Sequence, residues 1–263
     1  MASHLRFAVA LSALLLIHCV SACGQTTPDA DVTIATDRPS VTNSSVVVPQ
    51  GGFQLENGML MTDAAGEWTF DAPETSFRYG LFAKTELRLA PPDYFYNFPA
   101  LAGAVSGFGD MSIGVKQQLG PVWGFDVSVI VFVSLPVGAR RISSGGYDPG
   151  LQLPWSRKLS TNWTAAGQLA TYWPTIAGTH NVTGEATFLV DRQLSEPWDA
   201  WIEYAGDFSR LGNSRQLLHA GTSYKITPRQ QIDFHFAFGI SSAAPHGFIG
   251  VGYSFLIRPS KGN

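Results

Sequence analysis

Four residues in the C-terminal third could, by type and spacing, do nucleophilic chemistry: His219, Ser223, Asp233 and His235. Alternate residues of a strand share a face, so a turn near Pro228 would set the first pair beside the second. A serine, a histidine and an orienting carboxylate in hydrogen-bond reach can activate a serine oxygen. The sequence around them lacks a nucleophile elbow, and the same residues read equally well as a hydrogen-bonded polar interior. We expect the second role, with a lipid-modifying enzyme as a minor alternative. Metal-ligand spacing is missing, since His180 and His246 fall in expected loops without neighbouring ligands. Gly107, Gly109, Gly250 and Gly252 form no phosphate-binding loop. The expectation is a chain with no catalytic residue, no metal and no cofactor.

The elements that carry these residues read as strands. In Trp123–Leu135 one parity is apolar throughout (Phe125, Val127, Val129, Val131, Val133, Leu135), while the other begins polar with Asp126 and Ser128. That is a strand with one greasy side, and about ten tilted residues suffice to cross an outer-membrane hydrocarbon layer. Eleven more strands are expected: 52–61, 68–81, 85–90, 109–119, 150–158, 163–173, 182–194, 198–207, 216–226, 230–239 and 246–257. Tight turns fall around Ala83, Pro121, Thr161, Pro197 and Pro228. Leu81, Leu119, Leu159, Leu194 and Ile226 enter those turns, a repeat with the hairpin as its unit. The other connections are mostly longer, chiefly 91–108 and 136–149. Short turns on one rim, long loops on the other and an even strand count describe an all-β, single antiparallel transmembrane β-barrel of about twelve strands. Pro154 cannot donate a ladder hydrogen bond, so a bulge or interruption is expected there.

Composition agrees. Only 14% of the 263 residues are charged, against about 25% in soluble domains, so the chain is poorly equipped to clothe a water-facing surface. Net charge is −3, and no basic cluster exceeds a pair, which excludes nucleic acid as a partner. Arg6, the apolar run 7–20 and small residues before Cys23 read as a cleaved signal peptide over 1–23. Val20-Ser21-Ala22-Cys23 also has the form of a lipobox. Residues 24–51 are a polar leader without periodicity, 52–257 the barrel and 258–263 a short tail. The leader's Asp37-Arg38-Pro39 could enter the turn-side mouth as a plug, with Arg38 meeting acids such as Glu56; the other reading is a mobile periplasmic tail.

The inward parity collects a mixed-sign set expected to line the lumen: Glu56, Arg78, Glu86, Arg88, Asp110, Lys116, Asp126, Glu185, Asp191, Asp199, Glu203, His219, Lys225, Asp233 and His235. It reads as a polar conduit or as an interlocked interior, and the interleaved signs of Glu56, Arg78, Glu86 and Arg88 favour interlocking. Trp123, Trp163 and Trp198 recur just after the turns and are expected to form an interfacial aromatic girdle.

Thr36-Asp37-Arg38-Pro39-Ser40, followed by Val48-Pro49-Gln50-Gly51-Gly52-Phe53-Gln54-Leu55-Glu56-Asn57-Gly58, resembles the opening of bacterial outer-membrane transporters of the MetA-pathway of phenol degradation. Phe77-Arg78-Tyr79-Gly80-Leu81, Glu86-Leu87-Arg88-Leu89 and Gly109-Asp110-Met111-Ser112-Ile113-Gly114-Val115-Lys116 resemble it too. The similarity runs over about 36–257. It implies a barrel in the outer membrane of a Gram-negative bacterium, passing small, aromatic or hydrophobic solutes. The end of the chain departs from such barrels, because Phe255 is followed by Leu-Ile-Arg-Pro-Ser-Lys-Gly-Asn. The expected function is a porin-like passive channel whose partners are outer-membrane lipids, small-molecule solutes and the barrel-assembly machinery. The alternative is a structural or adhesive surface barrel that binds a partner through its long loops.

Overall fold

The computed structural model describes residues 32–98 and 103–258. The expected signal peptide, Cys23, residues 24–31 and most of the C-terminal tail lie outside the described residues.

Hairpin follows hairpin. The strands are β1 (Phe53–Ala64), β2 (Glu67–Ala72), β3 (Ser76–Phe82), β4 (Thr85–Ala90), β5 (Tyr94–Phe98), β6 (Val105–Phe108), β7 (Met111–Val122) and β8 (Phe125–Leu135). They continue with β9 (Asp148–Lys158), β10 (Trp163–Tyr172), β11 (Thr175–Ile176), β12 (Thr179–His180), β13 (Thr183–Gln193), β14 (Trp198–Ser209), β15 (Arg215–Thr227), β16 (Gln230–Gly239) and β17 (Gly247–Ile257). Apart from the β11–β12 hairpin, all join one antiparallel sheet, and β17 closes it by pairing with β1 from Phe53↔Ile257 to Asp63↔Gly247. β1 pairs with β3 at one end and β2 at the other. β4 with β5, and β6 with β7, likewise continue single wall strands across breaks. The closed wall is therefore a twelve-strand barrel, as the alternation predicts. Closure leaves no sheet edge to face hydrocarbon.

The inside-out distribution of side chains is that of a membrane barrel. Outward residues are large and apolar, with Ile202 at 61% exposure, Leu169 at 58% and Val131 at 56%, while inward Glu56, Arg78 and Lys116 are at 0%. A water-soluble sandwich would invert that order.

Two local expectations need correction, and a third, at Pro154, is met. Residues 91–108 are more than a loop, because β5 and β6 pair there as a hairpin extending the wall. Pro91 and Pro92 interrupt the alternation and cannot donate to a ladder, which hides the continuation. The turn expected at Pro121 lies instead at Trp123–Gly124, with φ of 51° and 80°. Two left-handed residues suit a two-residue hairpin whose twist matches its strands, so Pro121 stays inside β7, opposite Asp126. At Pro154 the β8–β9 ladder skips from Val127↔Trp155 to Ile130↔Gln152 without a change of register; of the bulge or interruption expected there, the structure has the interruption.

Candidate functional site

The leader has a run of Ser, Thr, Val and Pro with no period for helix or strand. Its backbone polar groups must therefore find partners elsewhere when buried. The barrel wall supplies them. Ile34 N–H donates to the Pro228 carbonyl at 2.8 Å, which places the leader at the short-turn rim. Ile34 and Val48 pack there with Leu256 and Val32. Further in, Asp37 and Arg38 N–H donate to the Glu56 carboxylate at 3.0 and 2.9 Å. Val41 and Thr42 N–H donate to Glu203 at 2.9 and 2.7 Å. Asn43 reaches Gln168 at 2.8 Å, and the Ser45 and Ser156 hydroxyls lie 2.7 Å apart. Val48 N–H donates to Glu86 at 2.8 Å, and Gly51 N–H returns to the Gly80 carbonyl at 2.7 Å just before β1 begins.

Two adjacent leader side chains of opposite sign reach different parts of the wall. The Asp37 carboxylate meets Lys116 Nζ at 3.0 Å and Arg78 Nη1 at 3.5 Å, and it pairs with Arg88. Those cations stand on β7, β3 and β4, neighbours in the sheet. Arg78 is also clamped by Glu56 at 2.7 Å and Glu86 at 2.8 Å. Arg38 meets Glu74 at 2.5 Å and Asp233 at 3.6 Å. Burying such charges costs several kcal/mol each unless they are paired and hydrogen-bonded, and here leader and wall complete each other's pairs.

Glycines make room for this path. A Cβ on Gly58 or Gly252 would run into the Arg38 side chain, and one on Gly80 into the Pro49 carbonyl.

The predicted residues fall into three groups. Glu56, Arg78, Glu86, Arg88, Lys116, Glu203, His219, Asp233 and His235 converge around the leader. Within this group His219 bonds Glu203 through Nδ1 at 2.8 Å and His235 through Nε2 at 3.0 Å. A second group lies away from the leader's charged contacts. Glu185 accepts from Gln168 and Tyr172 at 2.7 and 3.0 Å, Asp199 takes Ser223, and Lys225 stands 3.8 Å from Asp199. Asp191 lies half-buried on β13. Asp110 and Asp126 form the third group: Asp110 holds the 138–144 loop and Asp126 is exposed beside the Trp123–Gly124 turn. The three tryptophans all stand at the short-turn rim, Trp123 at 92% exposure in its turn and Trp163 and Trp198 opening β10 and β14.

The nucleophilic grouping does not assemble. Ser223 donates to Asp199, and the histidines bond each other and Glu203, so no histidine is described as activating the serine. Among the described residues no group of three His, Cys, Asp or Glu is placed to hold a metal ion.

Sequence reasoning missed several participants. Gln54, Ser128, Ser156, Gln168 and Thr187 share the inward parity and could have been found by it. Asp37 itself carries the central contacts, where Arg38 was expected to. The Arg38 backbone, not its guanidinium, meets Glu56. A cavity of about 160 Å³, lined by Val41, Glu185, Asp207 and Leu217 among others, remains beyond the leader.

Comparisons place this geometry. An outer membrane channel from Pseudomonas putida F1 superposes with a TM-score of 0.60 at 11% identity, covering 89% of this chain and all of that one. The NanC and KdgM porins each give 0.53, at 9% and 11% identity, covering 77% of this chain and 98% of theirs. At such identities the likeness is one of fold, that of outer-membrane barrels. No curated protein matches the sequence. The model of the family described as "Putative MetA-pathway of phenol degradation" matches residues 36–257, leader contacts and closing strand together, and the chain belongs to that family.

Proposed function

We propose that this protein is a passive outer-membrane channel for small solutes, closed in this conformation by its own leader. The observation that carries the reading is the kind of contact the leader makes. Backbone N–H groups and the ion pairs of Asp37 and Arg38 engage wall carboxylates and cations, groups that water also solvates. A segment held mainly by polar contacts can leave a wet lumen at lower cost than one held by a hydrophobic core. The fully buried state of Arg78, Lys116, Glu56 and Glu203 supports occlusion at the leader's level.

On this reading the mixed-sign inward set lines the open conduit, and Trp123, Trp163 and Trp198 anchor the periplasmic interface. The signal segment is removed on export, and the assembly machinery inserts the barrel. Aromatic or hydrophobic solutes are the proposed cargo, on the strength of the family description. Transport down a gradient needs no catalytic group, consistent with the separation of Ser223 from the histidines. The rival is a structural or adhesive barrel whose interior ion pairs serve stability alone, and the density of those pairs favours it. Planar-bilayer conductance divides the two: deletion of 25–50 raises conductance several-fold for a stoppered channel, and an unchanged value supports the rival.

A further inference from the structure

We infer that Arg78, Arg88 and Lys116 form a carboxylate-binding site of the conducting pore, occupied in the closed state by the chain's own Asp37. The inference rests on the leader being a removable stopper. The wall brings three cations together but only two carboxylates against them, Glu56 and Glu86; the third negative charge comes from the leader. Lys116 is the telling residue. It is fully buried, and both hydrogen bonds described for it go to leader oxygens, Asp37 Oδ1 at 3.0 Å and the Val46 carbonyl at 3.3 Å. Arg88 also loses leader acceptors on withdrawal, Asp37 and Asn43 Oδ1, the latter at 3.2 Å.

Once the leader leaves, the patch holds an excess positive charge with unfilled donors, arranged around the space of one carboxylate. Asp37 defines the occupant. Its Oδ1 takes Lys116, Arg78 and the Ser44 N–H at 2.8 Å, while Oδ2 takes Arg88. Guanidinium forks and an ammonium distributed over two oxygens match a planar carboxylate. An organic acid passing the pore would bind where Asp37 sits, and in the closed protein it would compete with Asp37 and favour the open state. Neutral solutes of the same shape would do neither.

The experiment uses the full chain, with acetate as the probe and acetamide as its neutral isostere. Removing the internal carboxylate by Asp37→Ala should let acetate bind at least tenfold more tightly than to the wild type, by calorimetry in detergent, with acetamide unbound. Lys116→Met in the same background should abolish that gain. In wild-type protein, acetate but not acetamide should raise the open fraction in planar bilayers, a reading that needs no substitution to fold. Equal responses to acetate and acetamide, or acetate binding indifferent to Asp37→Ala, would overturn the site. The stopper reading is judged separately by tethering the leader to the wall. Failure of acetate with a tether that still silences the channel removes the ligand site alone.

Discussion

Gly58 on β1 and Gly252 on β17 are direct partners across the seam that closes the barrel, and the Arg38 side chain lies against both. Two missing side chains at one register position make a recess for a leader cation. The seam thus joins the ends of the barrel and seats the segment that precedes it.

Gly58→Ala should displace Arg38 while leaving the barrel intact, because the group in the way is the mobile end of a long side chain. Gly252→Ala should displace Arg38 together with the Asp233 carboxylate, which its Cβ would meet first, at 2.5 Å, from the neighbouring β16. Gly80→Ala meets the Pro49 backbone instead, so the leader itself must shift. Single-channel recordings should therefore show a modest rise in open fraction for the first two and a larger one for Gly80→Ala. Equal, wild-type-like traces from all three would contradict the seating described.

Glu203 accepts from Val41 and Thr42 N–H and from the Thr42 hydroxyl at 2.6 Å. Hydrogen bonds to a charged group contribute about 1.5–3 kcal/mol each. Glu203→Gln should speed hydrogen exchange at the Val41 and Thr42 amides at least tenfold and leave β14 amides protected. Exchange that quickens throughout β14 would mean that the residue serves the wall rather than the leader.

Asp110, just before β7, accepts from Gly138 and Ser144 N–H and the Ser143 hydroxyl, each at 3.0 Å. Burial pushes its carboxyl up, but these donors outweigh it and hold the group below the usual range. A folded value below the unfolded one means that the latch contributes fully above about pH 4. It weakens as pH falls through the lowered value. Exchange protection at Gly138 and Ser144 should hold down to about pH 4 and fall below it, with Asp110→Asn removing the pH dependence. Protection that rises on acidification would contradict the latch.

Val131 faces outward near the middle of β8. Val131→Arg should cost about 2–4 kcal/mol in unfolding from lipid, the expectation for a cation at the midplane. A cost near zero would argue that this face meets water.

Much of the fold was legible because strand parity survives in the sequence. Val127, Val129 and Val131 alternate with Ser128 and Ile130, and the wall follows. The β5–β6 extension was hidden by Pro91 and Pro92, which break the pattern while the sheet resumes beyond them. Inward residues such as Arg78 and Lys116 were readable as a face, but their partner was not. Asp37 lies in a stretch without period, and its contacts with β3, β4 and β7 arise from closure of the barrel around it. Gly58 and Gly252 could be read as small residues in strands; their pairing depends on β17 returning to β1.

The most direct test of the stoppered channel is to fasten the leader in place. Ser45 and Ser156 hydroxyls sit 2.7 Å apart, and no native cysteine lies beyond Cys23. A Ser45→Cys, Ser156→Cys chain, oxidised and placed in a planar bilayer, should be silent, and reductant should restore openings at wild-type size. Oxidised channels that conduct as freely as reduced ones would contradict the account.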